Sequence, residues 1–271
     1  MKVRINEHEL EVAAGETVYA VRSRMKPGAD IIIINGAVCD ADTPLRDGDS
    51  VVLIHRGEQP SREELEMLMA ARHTPGVHAK LKRATVGIAG LGGLGSSIAI
   101  ALARTGVGRM ILVDFDIVEP SNLNRQQYFV SQIGQPKPDA LVENLRLINP
   151  YNTYEPLIAQ LDPANVPVIF SGVDLLIEAF DRADMKAMLA AAFKGAYPDR
   201  PLVMASGLAG CGPENTLRVR KLGGTLYVVG DLETAARPGV GLMAPRVGIA
   251  AHMQANLAVR LLLSDCKDIE V

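Results

Sequence analysis

The stretch VGIAGLGGLGSSIAIALARTGVGRMILVDFD, residues 86–116, decides the fold. An apolar run ends at Gly90, glycines follow at Gly92 and Gly95, and a second apolar run ends at Asp114. In a strand-turn-helix unit the first glycine makes the tight turn, the second lets a phosphate approach the backbone, and the third lets helix and strand pack closely. The free N–H groups at the helix start then face an anion. This stretch therefore predicts a nucleotide-binding unit, without indicating which nucleotide.

Strands and helices are predicted to alternate around this unit. Strands are predicted at 84–90, 109–114, about 153–159, 174–179 and 201–206, and helices at 94–105, 137–148 and 182–195. An antiparallel hairpin is expected at 217–231, and a long final helix from Pro245. The alternation predicts an α/β fold, a Rossmann-like doubly wound sheet that is mainly parallel with antiparallel C-terminal strands.

The first 56 residues follow a different pattern. KVRINEHELEV (2–12) alternates with period two around a polar turn, and ETVYAVRSRM (16–25) has helical spacing. DIIIINGAVCD (30–40) and LRDGDSVVLI (45–54) each supply a strand. Hairpin, helix and two further strands predict a small α+β, β-grasp unit that resembles ubiquitin.

A polar segment links the two patterns. Ser61 followed by Glu64 predicts a capping box for a helix running to about Ala71, which HTPG then ends. The predicted organisation is a β-grasp domain at 1–56, a helical linker at 57–83 and a nucleotide-binding domain at 84–271.

Composition excludes several classes of protein. The 271 residues are 48% hydrophobic and 22% charged, with a formal net charge of -3. A basic surface for nucleic acid is not indicated, and no segment approaches the ~20 apolar residues of a membrane span. The N-terminus does not resemble a signal peptide, so a cytoplasmic location is expected. Three scattered cysteines, Cys39, Cys211 and Cys266, predict neither a disulfide framework nor a zinc site.

The segment DFDIVEPSNLNRQQYFVSQIGQPKPDA, residues 114–140, narrows the choice of nucleotide. It carries Asn122, Arg125, Gln126 and Lys137 on the connection after the predicted ribose-binding acid. Arginine and lysine hold a triphosphate and neutralise the charge that develops in phosphoryl transfer, so the set favours ATP. Each residue also has a structural alternative: a helix cap, a solvated charge, a surface amide and the positive end of a turn, respectively.

Several motifs together resemble a known family. GLGGLGSSIAIALARTGVGRMILVDFDIVEPSNLNRQQYF (90–129), IGQPK (133–137) and RLINP (146–150) are similar to the ThiF/MoeB/HesA adenylating enzymes, relatives of ubiquitin-activating enzymes. GLMAPRVGIAAHMQANLAVRLLL (241–263) resembles the helix that closes such domains. The match covers about residues 61–263 and is most similar to the ThiF branch, while residues 1–56 resemble ThiS, a small sulfur carrier.

The resemblance implies roles for individual residues. The residues expected to contact ATP are Gly90, Gly92, Gly93, Gly95, Asp114, Asp116, Asn122, Arg125, Gln126 and Lys137. Asp181 in LLIEAFDRADMK is expected to bind Mg²⁺, and it also follows an apolar strand, where open α/β sheets bind ligands. Its structural alternative is a helix cap with Asp184. Arg72 is the candidate for an arginine that often comes from a partner subunit and reaches the triphosphate. Catalytic roles are expected for Arg125, Lys137, Asp181 and Arg72.

The resemblance also implies an activity. Such an enzyme adenylates the C-terminal glycine of a separate ubiquitin-like carrier ending in Gly-Gly, so that the carrier can become a thiocarboxylate. The ThiF branch implies thiamine biosynthesis and a homodimer, with molybdopterin or cysteine synthesis as alternatives. Many relatives hold zinc through two Cys-x-x-Cys pairs, which this sequence lacks, so no zinc is predicted.

Two features keep other interpretations open. The ThiS-like segment continues through HRGEQPSREEL without a Gly-Gly end, so it is expected to be a docking, regulatory or relic domain rather than a substrate. Cys211 could serve sulfur transfer or only packing. The competing hypotheses are an NAD-binding oxidoreductase that shares the glycine loop and a non-catalytic interaction protein.

Overall fold

The computed structural model describes residues 1–70 and 76–263. The chain divides into two compact units, residues 1–75 and 76–271. Each unit has its own sheet and its own hydrophobic core.

The first unit is a five-stranded sheet with two short helices in its described residues. Its elements are β1 (Lys2–Ile5), β2 (His8–Glu11), α1 (Val18–Met25), β3 (Ile31–Ile34), β4 (Ala37–Val38), β5 (Ser50–Ile54) and α2 (Arg62–Ala70). The strand order is β2-β1-β5-β3-β4, with β1 and β5 parallel at the centre. This arrangement is the β-grasp that the sequence predicts.

Local sequence explains this unit. Asn6 and Glu7 have positive φ, which closes the β1–β2 hairpin, and Asn6 also exchanges two hydrogen bonds with the backbone of Leu53. The Thr17 hydroxyl caps α1 by accepting a hydrogen bond from the Ala20 N–H. Val21 of α1 is fully buried in the core against the sheet.

The chain leaves β5 through a turn that is fixed by charge. Gly57 has φ +76°, and the Glu58 N–H donates to the His55 carbonyl. Lys26 lies 2.9 Å from a Glu58 carboxylate oxygen and 3.3 Å from Glu64 of α2. The segment after β5 is therefore bent back on its own unit instead of running out as a free tail.

The second unit is a seven-stranded sheet covered by helices on both faces. Its elements are α3 (Val77–Arg83), β6 (Thr85–Ala89), α4 (Gly93–Thr105), β7 (Arg109–Asp114), α5 (Lys137–Ile148), β8 (Thr153–Ile158), α6 (Val166–Ile169), β9 (Leu175–Glu178), α7 (Ala183–Ala196), β10 (Leu202–Ala205), β11 (Arg218–Gly223), β12 (Leu226–Gly230) and α8 (Ala244–Leu263). The strand order is β11-β12-β10-β9-β6-β7-β8, and only β11 is antiparallel to its neighbour. The predicted fold class is confirmed.

The central strand β6 is buried on both faces, as parallel strands in such sheets are. Val86 and Ile88 pack into the core that includes α4, α5 and α8. Gly87 faces the opposite core, where an added Cβ would lie 2.7 Å from the Phe170 ring. The helices therefore approach the sheet closely on both sides.

The strand order creates a crevice at the carboxyl end of β6. The chain runs from β6 to β7 and β8 on one side, and then crosses to β9 on the other side. Ligands of open α/β sheets bind at such a switch point. Residues that follow β6, β7 and β9 are therefore brought to one edge.

Some local structure was not predicted. The linker region contains a second helix, α3, and the 160–173 connection contains the four-residue α6. An element of four residues that includes Pro167 is too short to show a helical period. Over the part of the chain that is described, no helix has both the length and the apolar content that crossing a bilayer would take.

Candidate functional site

The glycine loop is shaped by close backbone packing. Gly90 has φ +89°, and its N–H donates to the Val113 carbonyl. A Cβ at Gly95 would lie 1.9 Å from the Gly90 carbonyl oxygen, so the turn and the helix start touch directly. Gly92 differs, because a Cβ there would meet only the Gln126 amide nitrogen, at 3.7 Å. The second glycine thus faces open space, as a position for a closely approaching ligand requires.

Helix α4 begins at this loop without a side-chain cap. Gly92 is its N-cap residue, and no side chain accepts a hydrogen bond there. The first N–H groups of a helix have no partner within the helix, and they carry a partial positive charge. This helix start is therefore suited to bind an anion.

Asp114 organises the loop from the end of β7. One of its carboxylate oxygens accepts from the Leu91 N–H at 2.6 Å, and the other accepts from the Asp116 N–H at 2.9 Å. Each oxygen retains lone-pair capacity for further donors. Asp114 is therefore fixed next to the glycine loop as a hydrogen-bond acceptor.

Lys137 is a buried cation at the same edge. It is the first residue of α5 and only 5% exposed, and its ammonium lies 2.7 Å from Asp116. The Lys137 N–H also donates to the Asp116 carbonyl. Lys137 is thus a buried residue at the start of a helix, directly after the Gly134-Gln135-Pro136 turn. A buried ammonium needs an anionic partner, and Asp116 supplies it here.

The segment after the second aspartate folds back over the loop. The Asn122 side chain accepts a hydrogen bond from the Glu119 N–H at 3.1 Å, so the predicted cap role exists in a short 3₁₀ turn. Arg125 lies over Gly93, since a Cβ there would be 3.4 Å from the Arg125 Cγ atom. Arg125 is half-buried as a residue, and its guanidinium donates to the Ser121 carbonyl and the Asn124 amide oxygen.

Gln126 holds an unsatisfied polar atom in this site. The residue is 7% exposed, so it is not the surface amide that the alternative proposed. Its Oε1 atom is buried and has no hydrogen-bond partner within the described structure. A buried acceptor without a donor is costly, so a donor or an ordered molecule is expected to occupy this position.

The opposite wall of the crevice follows β9. Glu178 is fully buried, and it accepts hydrogen bonds from Lys186 at 2.8 Å and from the Phe180 N–H at 2.6 Å. Burial raises the pKa of Glu178, and the charge of Lys186 opposes this shift. The same turn contacts the glycine loop, because a Cβ at Gly90 would lie 2.9 Å from the Ala179 carbonyl oxygen.

Asp181 is presented by this turn. It is exposed and has no hydrogen-bond partner among the residues that the structure describes. The N-cap residue of α7 is Arg182, without a side-chain cap, and Arg182 pairs with Asp184. The helix-cap alternative for Asp181 is therefore not realised, and its carboxylate is free to bind another group.

Two residues of the site were not singled out from the sequence. The Tyr128 hydroxyl donates to the Leu91 carbonyl at 2.7 Å, and burial, with the nearby charges of Asp114 and Asp116, raises its pKa. The Ser96 hydroxyl bonds to the Gly92 carbonyl at 2.6 Å and accepts from the Gln127 N–H. Both side chains join the folded-back segment to the glycine loop.

Arg72 and two of the cysteines are the other residues that the sequence analysis considered. Arg72 lies outside the described residues. Cys211 is exposed in the loop after β10, and Cys39 is half-buried in the β-grasp unit. Within residues 1–70 and 76–263, no group of three His, Cys, Asp or Glu side chains could enclose a metal ion.

The fold and the glycine loop define the class of doubly wound nucleotide-binding proteins. Residues 66–270 match the ThiF family, and residues 1–57 match the ThiS-like ubiquitin family. The chain belongs to the ThiF family and carries a ThiS-like domain at its N-terminal side, which confirms the resemblance.

The relatives are named as adenylyltransferases. Adenylyltransferase and sulfurtransferase uba4 of Emericella nidulans is 34% identical over 230 residues, which cover 79% of this chain and 46% of the relative. Molybdopterin-synthase adenylyltransferase of Salmonella typhimurium is 33% identical over 187 residues, which cover 67% of this chain and 74% of the relative. The chain thus spans less than half the length of the uba4 relatives.

Solved structures support the fold. The chain is similar to E. coli tRNA N6-threonylcarbamoyladenosine dehydratase in complex with ATP, with a TM-score of 0.66 and 24% identity. The similarity covers 72% of this chain and 92% of that protein. At this level of identity the comparison establishes a shared architecture.

Proposed function

We propose that the protein is an ATP-dependent adenylyltransferase that activates the C-terminal glycine carboxylate of a separate ubiquitin-like sulfur carrier. The observation that carries the proposal is the uncapped start of α4, flanked by the buried cation Lys137 and by the unsatisfied amide oxygen of Gln126. A bound nucleotide would supply the anion for the helix start, and a ribose hydroxyl or a water molecule ordered beside the phosphates would supply a donor for the Gln126 oxygen, since phosphate oxygens only accept hydrogen bonds. The names of the relatives agree with this chemistry.

Each residue of the site is proposed to contact a particular part of ATP. Asp114 accepts hydrogen bonds from the ribose hydroxyls, and the N–H groups at the start of α4 hold the phosphates. Asn122, Arg125 and Gln126 cover the phosphates from the folded-back segment. Lys137 contacts the phosphates in place of its Asp116 partner, and Asp116 lies beside it at the rim of the same site.

Magnesium fits one position in this arrangement. Mg²⁺ is commonly held by one or two carboxylates together with substrate phosphates and water. Asp181, exposed and without a hydrogen bond to another described residue, is the candidate carboxylate. A magnesium ion there would neutralise charge on the phosphates. We also propose that the protein acts as a homodimer in which Arg72 of one copy reaches the triphosphate of the other.

The proposed reaction is limited by repulsion between anions. A carrier carboxylate oxygen attacks the α-phosphorus, the bond to the bridging oxygen breaks, and pyrophosphate leaves with that electron pair. No proton is transferred, so cations and positioning matter more than a general base. Lys137 and Arg125 reduce the repulsion. The product, an acyl-adenylate, can then accept sulfur.

The ThiS-like unit is proposed not to be the substrate. The stretch HRGEQPSREEL that directly follows β5 contains no Gly-Gly pair, and the chain bends back at Gly57, where Lys26 pairs with Glu58. We propose a docking, regulatory or relic role for this unit, and a separate carrier as the substrate. The pathway is proposed to be thiamine biosynthesis, on the resemblance to the ThiF branch. A relative named for molybdopterin synthase makes that pathway the main alternative.

The substrate can be identified directly. The purified protein is incubated with ATP, Mg²⁺ and the small Gly-Gly-ended proteins of the same cell, and mass spectrometry detects which protein gains AMP. We expect AMP on one such carrier and none on the enzyme alone. Self-adenylation without a carrier would contradict the assignment of the ThiS-like unit. In a separate incubation with NAD, a change in nicotinamide absorbance, together with no pyrophosphate release from ATP, would favour an oxidoreductase instead.

The site residues can be tested by substitution. Lys137→Met should lower kcat/KM of carrier-dependent ATP–pyrophosphate exchange by about 10²–10³-fold, because a preorganised charge on the reacting phosphates is lost. Asp181→Asn should have a comparable effect. The matched controls are Arg104→Ala, at the exposed far end of α4, and Asp184→Asn, close to Asp181 and also exposed. Full exchange in both site variants would refute these roles.

A further inference from the structure

A buried ion pair lies outside the glycine loop, at the start of α8. Arg246 is 4% exposed, and its guanidinium lies 2.7 Å from an Asp231 carboxylate oxygen. Asp231 also accepts hydrogen bonds from the Glu233 and Thr234 N–H groups and from the Thr234 hydroxyl. The pair therefore joins α8 to the loop that follows β12.

The same guanidinium holds a third segment. It donates to the Gly212 carbonyl at 2.9 Å, the Pro213 carbonyl at 3.1 Å and the Thr216 hydroxyl at 3.1 Å. These acceptors lie in the connection from β10 to β11, which we call the 210–216 segment; it contains the exposed Cys211. The Gly210 N–H adds a hydrogen bond to the Gly241 carbonyl. A single side chain thus fixes most of this segment.

The start of α8 also contacts the glycine loop. A Cβ at Gly93 would lie 3.0 Å from the Val247 side chain, and Val247 directly follows Arg246. The 210–216 segment follows the carboxyl end of β10, which pairs with β9 beside the crevice. Arg246 therefore sits between the loop predicted to hold the nucleotide and an exposed segment at the same edge of the sheet.

We propose that Arg246 is a positioning residue that holds the 210–216 segment as part of the surface receiving the C-terminal tail of the carrier. The proposal rests on the proposed adenylation. A carrier tail must reach the α-phosphate from the open edge of the sheet, and an exposed segment fixed at that edge is suited to guide it. The Arg246 guanidinium is occupied by Asp231 and by three acceptors of the 210–216 segment, so its proposed action is through the segment and not on the reacting atoms.

The test separates a positioning role from a general structural role. Arg246→Lys keeps the charge but cannot span acceptors on two segments with one planar fork. In the exchange assay, with the carrier that gains AMP, its KM for the carrier should rise roughly tenfold, while kcat and the Kd for ATP stay within about threefold of wild type. Hydrogen exchange, measured without ATP or carrier, should become faster in residues 210–216 and not in residues 86–95.

Thr216→Val is a second variant in case Arg246→Lys does not fold. It removes one acceptor of the guanidinium and leaves the Asp231 ion pair, so a smaller increase in carrier KM in the same direction is expected. An unchanged carrier KM, or equal losses of ATP and carrier affinity, would overturn the inference. A wild-type protein without any exchange activity would overturn the proposed function itself, and the inference with it.

Discussion

The glycines of the loop meet different surroundings, and this difference gives each a separate role. Gly95 faces the backbone of Gly90, whereas Gly92 faces open space beside Gln126. An extra methyl group is therefore excluded by the protein at Gly95 and only by a ligand at Gly92. The sequence motif already predicts different roles for these two positions, and the structure shows what each of them meets.

Substitution of Gly95 tests this distinction. In Gly95→Ala the new Cβ would overlap the Gly90 carbonyl oxygen at 1.9 Å, so the turn must move. We expect a loss of about 1–3 kcal/mol in the free energy of unfolding, the usual cost of overpacking, together with weaker ATP binding. Urea unfolding and isothermal titration with ATP measure the two effects.

Gly195→Ala is the matched control within a helix. No atom outside its own helix lies within 4 Å of a Cβ at Gly195, an exposed position in α7. Its free energy of unfolding should rise by up to about 1 kcal/mol, since alanine favours the helix. A stable Gly95→Ala protein that binds ATP normally would show that the contact with Gly90 does not constrain the loop.

Sequence reasoning reached some site residues and not others for a physical reason. Asp114 and Lys137 could be predicted from local sequence. Asp114 lies at the end of a strand, and Lys137 lies where a turn leads into a helix. The burial of Gln126 and the hydrogen bond of Tyr128 to Leu91 arise only when the connection after β7 folds back on the loop. That fold depends on contacts distant in sequence, which no periodicity encodes.

At the scale of elements, α8 is held by charge as well as by its apolar face. Burial by itself raises the pKa of Asp231, but hydrogen bonds from Thr234, Glu233 and Arg246 outweigh it and lower the pKa to about 2. The folded-state pKa lies below the ordinary value of 3.8. The carboxylate therefore stabilises the fold above about pH 4, and this contribution is lost as the pH falls towards 2.

Asp231→Asn should reveal this contribution. Near pH 6 the free energy of unfolding of the variant should be lower than that of wild type by about 2 kcal/mol, the free energy that corresponds to the lowered pKa of Asp231. This difference should narrow as the pH falls from 4 to 2. Urea unfolding across this range measures it. Asp199→Asn, at an exposed position in the turn after α7, serves as the control. A difference independent of pH would mean that the asparagine loses packing rather than charge.

The bounds of helices and strands could be predicted where glycine, proline or a charged residue marks an end in the sequence. The predicted strand at 109–114 and helix at 137–148 have the same bounds as β7 and α5. The contacts of Arg246 could not be predicted from the sequence, because its four acceptors come from segments that are separate in sequence. A charged residue near a helix start gives no signal of the loops that will surround it.

At the scale of the whole molecule, the two units have separate cores. Leu53 belongs to the core of the β-grasp unit, and Leu102 belongs to the core between α4 and the large sheet. Both side chains are at most 2% exposed. Shortening either leucine should therefore destabilise the unit that contains it.

Leu53→Ala and Leu102→Ala test this separation. Each should lower the free energy of unfolding of its own unit by about 2–5 kcal/mol, the cost of a buried Leu→Ala cavity. Only Leu102→Ala should also weaken ATP binding. Hydrogen exchange followed by mass spectrometry assigns the loss of protection to residues 1–70 or 76–263. Equal loss in both ranges for either variant would contradict the prediction.

The strand order also determines when the crevice can form during folding. The β7 side of the crevice needs only a short loop to close, since the hydrogen-bonded residues Leu91 and Asp114 are 23 residues apart. The β9 side needs a longer one, because Thr85 and Asp174, whose hydrogen bond joins β6 to this side, are 89 residues apart. Closing the longer loop costs more chain entropy and slows the pairing. A newly made chain is therefore expected to have its glycine loop well before the turn that carries Asp181 is in place. Recovery of ATP binding in a refolding experiment should then follow the docking of β9 rather than the first collapse.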